Sequence, residues 1–142
     1  MTSNTSASPP NQSALLETFE EYLLASFSLD AKRVAAFYDE PFMLVSAART
    51  VAMATQADVE LSLTPGFKDL HQAGYAKTEF PELTSQSLGN GLAVISGRGV
   101  RITTDGTELG TFGVTYIWRE LSDGWKLAVM TVHDPKKLLP LS

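Results

Sequence analysis

The chain has 142 residues, 44% hydrophobic and 19% charged, the composition of one soluble globular domain large enough to bury roughly 68–70% of its unfolded surface. A formal net charge of −5 and a pI near 4.9 argue against nucleic acid as a partner, because phosphate-backbone binding takes clustered Lys and Arg; no window approaches the ~18 consecutive apolar residues of a membrane span. The absence of cysteine excludes disulfides, thiolate nucleophiles and Cys-ligated zinc, and two histidines restrict imidazole chemistry.

Residues 1–12 are rich in Ser, Thr, Asn and Pro and read as a disordered leader. They lack the basic start and apolar stretch of a secretory signal, so the cytoplasm is the expected location. The domain is expected over residues 13–135, with a short tail over 136–142. Leu15, Phe19, Tyr22, Leu23 and Phe27 recur at helical spacing opposite Glu17, Glu20 and Glu21, with Asn11 or Ser13 as N-cap. Ser28 or Asp30 caps a second short helix carrying Val34, Phe37 and Tyr38, which Pro41 stops. Residues 41–55 read as a strand pair turning near 47–50. Thr55 and Asp58 form a capping box for a third helix, interrupted at Pro65 and closed by Gly74. Strands over 75–88, 91–104, 107–121 and 124–134 follow, separated by "GNG", "TDG" and "SDG", the turn chemistry of an antiparallel meander. Helices followed by consecutive hairpins, with no internal repeat, make one α+β domain.

Alternation along the strands assigns their faces. Trp125, Leu127, Val129, Thr131 and His133 share one face of the last strand, and Lys126, Ala128, Met130, Val132 and Asp134 the other, which Lys126 marks as outer. Phe112, Val114, Tyr116 and Trp118 point inward from the strand before, placing His133 in the same interior as Trp118. The outer face then carries Ile117, Ala128, Met130 and Val132, an apolar surface that predicts a homodimer formed through the sheet. Arg98 shares its face with Val94, Val100 and Ile102 and points in, with Arg101 out, unless a bulge at Gly97 and Gly99 swaps the two.

His133 is the candidate proton carrier, since an imidazole of reference pKa ~6.5 exchanges a proton near neutrality. The more ordinary reading is a strand-end histidine bonded to backbone or solvent. Asp134, on the opposite face, ends the strand. Arg98 is the candidate for orienting an acidic group. Phe19, Tyr22, Tyr38, Phe42, Tyr116 and Trp118 are the candidate ligand-contacting wall, with Tyr22 or Tyr116 donating to an oxygen, and each also reads as plain core. His71 lies near a helix C-terminus, far in sequence from His133, so no metal site is expected. Neither a glycine-rich phosphate loop nor a serine-nucleophile motif is present, and no cofactor is expected.

Two stretches, "LLETFEEYLLASFSLDAKRVAAFYDEPFMLV" and "TYIWRELSDGWKLAVMTVH", resemble the NTF2-like superfamily, which includes SnoaL-type polyketide cyclases, ketosteroid isomerases and scytalone dehydratase. The resemblance covers nearly everything from Leu15 to Asp134. It implies a cone-shaped α+β barrel in which a strongly curved antiparallel sheet wraps the N-terminal helices and encloses a pocket, commonly in a dimer packed sheet to sheet. It further implies a small, mostly apolar ligand in the cone, with cofactor-free isomerase, dehydratase or cyclase chemistry, or else a binding or dimeric interaction module without chemistry. Enzymes of this kind carry a general-base carboxylate in the first strand. Here that strand reads Phe42, Met43, Leu44, Val45, Ser46, and Asp39 and Glu40 come before it. Many relatives place a histidine about six residues beyond the Trp of "GW", which here is Thr131, with His133 one dyad farther.

Overall fold

Along residues 8–139, which the computed structural model describes, the chain forms α1 (Ser8–Phe27), α2 (Ala31–Ala35), β1 (Tyr38–Val45), β2 (Thr50–Met53), α3 (Gln56–Gln72), β3 (Tyr75–Gly89), β4 (Leu92–Thr103), β5 (Glu108–Leu121) and β6 (Gly124–His133). α1 buries Leu15, Phe19 and Tyr22, the i, i+4 and i+7 positions of one helical face, and leaves Glu17, Glu20 and Glu21 in water. Pro9 and Pro10 fall in its first turn, where a missing N–H leaves no intrahelical bond unmade. The helix therefore takes up residues 8–12 of the expected leader, and Asn11 and Ser13 lie inside it rather than at its cap. Residues 1–7 and 140–142, the ends of the expected leader and tail, lie outside the described residues.

Asp30 caps α2, its carboxylate accepting from the Arg33 N–H at 3.1 Å. That helix ends at Ala35, short of Pro41, and Tyr38, Asp39 and Glu40 already belong to β1. α3 opens on the Thr55 and Asp58 capping box. In contrast to the expected interruption, it continues through Pro65: the residue is exposed, and only the bond to the Leu61 carbonyl is lost. Gly74, at φ +83°, follows the helix in the left-handed conformation that glycine adopts most readily.

The four long strands β3 to β6 form the antiparallel meander, and Gly89, Asn90 and Gly91, all at positive φ, turn β3 into β4. The full order is β2-β1-β6-β5-β4-β3, with β1 antiparallel to β2 and parallel to β6. The β1–β2 hairpin thus extends the sheet beyond β6, and the curved, unclosed sheet wraps the helices. Between them, Phe19 and Tyr22 each stand edge-on to Tyr116 and Trp118, with ring centroids 5.5 to 6.3 Å apart. Burying one such side chain contributes about 1.5–3 kcal/mol.

Two local features decide which side chains face this core. The first is a β-bulge at Ala128: Ile117 pairs with Val129 and Trp118 with Leu127, leaving Ala128 as the extra residue. Trp125 and Leu127 point inward as expected, but beyond the bulge the alternation inverts. Val129, Thr131 and His133 lie on the outer face, and Met130 and Val132 on the inner. The second is the inner face of β4, which Ala93, Ile95, Gly97, Gly99 and Arg101 share. Arg98 lies outside with Val94, Ser96 and Val100, so the two arginines stand opposite to the expected assignment. A Cβ at Gly97 would come within 2.7 Å of Leu83 and 2.9 Å of Phe80, and one at Gly99 within 2.5 Å of the Phe112 ring. The inner surface at these glycines is therefore furnished by side chains of β3 and β5.

After β6 the backbone passes over Gly113, where a Cβ would meet the Asp134 carbonyl oxygen at 2.6 Å. It then reaches Ser96, whose hydroxyl accepts from the Leu139 N–H at 3.4 Å. The C-terminal segment thus crosses part of the outer sheet face.

Candidate functional site

A cavity of about 270 Å³ lies between the inner sheet face and the helices. α1 contributes Tyr22, Leu23 and Ser26, and α3 contributes Val59, Ser62, Leu63, Phe67 and Leu70. β1 adds Tyr38, Phe42 and Leu44, and the meander adds Tyr75, Thr78, Phe80, Arg101, Phe112, Val114, Tyr116, Met130 and Val132. α3 closes the cone because its capping box and Glu40 fix its start: the Glu40 carboxylate accepts from the Gln56 N–H at 2.7 Å, and the Gln56 amide donates to the Tyr38 carbonyl at 2.9 Å.

The polar atoms of this apolar space fall into two groups. One is a tyrosine cluster in which the hydroxyls of Tyr22 and Tyr38 are 3.1 Å apart and Tyr116 packs edge-on to Tyr22. Burial raises the Tyr22 hydroxyl above its ordinary pKa and those of Tyr38 and Tyr116 well above it, so all three remain protonated donors across the physiological range. The other group lies around Arg101. Its guanidinium carbon stands 4.3 Å from the centre of the Phe112 ring, and its cross-strand neighbour Thr78 shares a 2.8 Å hydrogen bond with the Tyr75 hydroxyl. Among the described residues Arg101 is the one charged side chain lining the cavity, and no carboxylate lies within 4 Å of it.

The expected site residues divide accordingly. Tyr22, Tyr38, Phe42 and Tyr116 come together in the wall. Phe19 and Trp118 lie behind it as packing, 3% and 0% exposed, and do not border the cavity. Arg98 is a correction: it stands on the outer face, its Nε donating to Glu82 at 2.8 Å. His133 is another, carried outside by the Ala128 bulge. Its Nε2 is 2.7 Å from the Thr115 hydroxyl, which is 3.0 Å from that of Ser96, and its Nδ1 is 3.0 Å from the Asp134 carbonyl. A carbonyl only accepts, so Nδ1 donates to Asp134, and in the neutral ring Nε2 accepts from the Thr115 hydroxyl. The imidazole is held by its own sheet face and reaches nothing in the cone. Asp39 is buried on β1 in a two-pronged pair with the half-exposed Arg119, at 2.7 and 3.2 Å. That guanidinium, and then the Glu40 N–H, hold the Asp39 carboxyl below the usual carboxylate range against the opposing effect of burial. Among the described residues no cluster of three His, Asp or Glu is arranged to hold a metal ion.

Residues 13–135 match the family described as NTF2-like protein (DUF6841). The chain belongs to this NTF2-like family. Among solved structures it is similar to Aln2 from a Streptomyces species, at 12% identity over 93% of this chain and 96% of that one, with a TM-score of 0.73. It is also similar to an NTF2-like protein with a cystatin-like fold from Novosphingobium aromaticivorans, at 14% identity over 94% and 84% of the two chains, TM-score 0.71. An NTF-2 like protein of unknown function from Shewanella oneidensis shares 17% identity over 87% and 98%, TM-score 0.69. At these identities the likeness shows the common fold alone. No curated protein matches the sequence.

Within this NTF2-like cone, the sequence reading preferred Arg98 and held Arg101 only as its alternative, and it missed the whole contribution of α3. For α3 a signal was there: Val59, Leu63, Phe67 and Leu70 follow the i, i+4, i+8, i+11 spacing of one helical face. For Arg101 the signal was subtler. Gly97 and Gly99 in a strand flanked by Phe80 and Phe112 announce that neighbouring rings lie across it, which makes the glycine face the core face.

Proposed function

We propose that the cone binds a small, largely apolar molecule and serves as a binding site rather than an acid–base active site. The observation that carries this reading is the character of the wall. Rings, aliphatic side chains and Met130 surround a space of about 270 Å³, and its polar groups are the Arg101 guanidinium and hydroxyls, of which those of Tyr38 and Tyr116 stay protonated. Isomerase, dehydratase or cyclase chemistry needs a group that gains and loses a proton near neutrality. Among the described residues, the lining contains no Asp, Glu or His. Phe42 and Leu44 occupy the inward positions of β1 from which a carboxylate would act.

The test is the fluorescence of the neutral probe N-phenyl-1-naphthylamine titrated with the protein, compared with a Leu63→Trp variant whose indole fills the space. Saturable enhancement in the wild type and its loss in a folded Leu63→Trp protein are expected. Equal enhancement in both would place the probe elsewhere and contradict the reading.

A second proposal concerns the outer sheet face, where Ile117 and Val129 are half-buried beside Thr131, next to an already buried Val94. We propose that two copies pair there, next to the C-terminal segment, although Met130 and Val132 are turned inward and add nothing to that surface. Sedimentation at micromolar concentration is expected to give a dimer, and a monomer would refute it.

A further inference from the structure

The proposed ligand has no assigned chemistry beyond being apolar, and the position of Arg101 narrows it. A guanidinium stays charged at every accessible pH, and the half-buried Arg101 presents that charge to an apolar space where an anionic partner would be favoured. Of the charged groups on the neighbouring strands, Glu108 faces Ile102 and makes no ion pair with Arg101 within 4 Å, and others are paired. Lys77 and Glu79 pair with each other at 2.9 Å, Glu82 pairs with Arg98, and Asp39 pairs with Arg119 at the far end of β5. What Arg101 has instead is the face of Phe112, seated on Gly99, and the adjacent Thr78 and Tyr75 hydroxyls. The Phe112 face meets the guanidinium plane, and among the described residues its in-plane N–H fork has no hydrogen-bond acceptor.

Resting on the cone-binding reading, we propose that the ligand is a small apolar acid. Its carboxylate takes the Arg101 fork, and its hydrocarbon body extends toward Tyr22, Tyr38 and Tyr116. A carboxylate fits better than a polyanion, because one guanidinium supplies one charge and its planar donors match two carboxylate oxygens. The high pKa of the tyrosine cluster suits the other end of such a molecule, where a hydroxyl or carbonyl oxygen would find donors.

The experiment compares 2-naphthoic acid with its neutral isostere 2-naphthamide by titration calorimetry at pH 7, in the wild type, Arg101→Met and Leu63→Trp. Methionine keeps an unbranched apolar stem beside Phe112; Arg101→Gln serves the same purpose if the Met variant melts early. The wild type is expected to bind the acid roughly tenfold or more tightly than the amide, the size of a charge-assisted bond. Arg101→Met should erase that preference while leaving the amide affinity within about twofold, and Leu63→Trp should abolish both. If the wild type binds acid and amide alike and Leu63→Trp still abolishes both, the acid inference is overturned and the cone-binding reading stands. If neither compound binds, or if both survive Leu63→Trp, the cone-binding reading fails and this inference falls with it.

Discussion

The inner and outer faces of this sheet come from the same six strands, yet they solve opposite problems. Inside, rings from α1 and the meander stack edge to face beside a largely apolar cavity, and Arg101, the one charged side chain lining it among the described residues, is met by the face of a phenylalanine. Outside, polar groups are joined in sequence: Ser96, Thr115 and His133 form one hydrogen-bonded chain, Arg98 is paired with Glu82, and the C-terminal segment comes back over Gly113. The imidazole of His133 sits on the outer face, away from the cavity, and the tyrosine hydroxyls that line the cavity hold their protons. This separation is the reason for reading the cone as a binding site.

The two faces can be set against each other by glycine substitution, where the largest effect is expected. Gly113→Ala on the outer face drives a methyl into the Asp134 backbone, which cannot swing aside, and should cost about 1–3 kcal/mol in a denaturant melt. Gly99→Ala on the inner face meets only the far end of the Phe112 ring, so about 1 kcal/mol is expected, with the Arg101–Phe112 contact displaced and ligand affinity lowered. A larger stability loss at Gly99 would reverse the comparison.

On β1, Asp39→Asn should lower stability at neutral pH by up to about 1 kcal/mol, a modest figure because the Arg119 side chain is 48% exposed. Since the folded Asp39 carboxyl titrates below its unfolded value of ~3.9, its contribution is complete above roughly pH 5 and is lost as pH falls through the folded value. The gap between wild type and variant should therefore be constant near neutrality and close in acid. A gap that widened in acid would mean the pair is not what depresses the carboxyl.

The smallest effect is expected at His133→Ala. It removes hydrogen bonds on a half-exposed surface that water can replace, costs about 0.5 kcal/mol, and leaves binding in the cone unchanged. A tenfold loss of ligand affinity there would tie the outer chain to the cavity.

Much of the architecture was legible from residue pattern. The four meander strands, their turns and the helix carrying Leu15, Phe19 and Tyr22 all announce themselves by period and by turn chemistry, and so did Tyr22, Tyr38, Phe42 and Tyr116 as wall residues. Side-chain direction was legible only as far as alternation ran unbroken. A strand carries one bit of facing information per residue, and one extra residue at Ala128 inverts everything after it, sending His133 out and Met130 in. In β4 the pattern was ambiguous for another reason: Val94 and Val100 are buried on the outer face, while Gly97 and Gly99 leave the inner face without side chains of its own. Alternation scores side chains that a strand owns, and here the core is filled by those of its neighbours.

The central claim, that ligand chemistry is confined to the inner face with Arg101 as its anchor, is tested most directly by NMR. Side-chain Nε–H resonances of arginine and methyl resonances of the inner wall would be followed as 2-naphthoate is added. The account predicts saturating shifts at Arg101, Leu63, Val114 and Met130, with Arg98, Thr131 and His133 unmoved. Shifts concentrated at Arg98 and His133, with Arg101 silent, would contradict it.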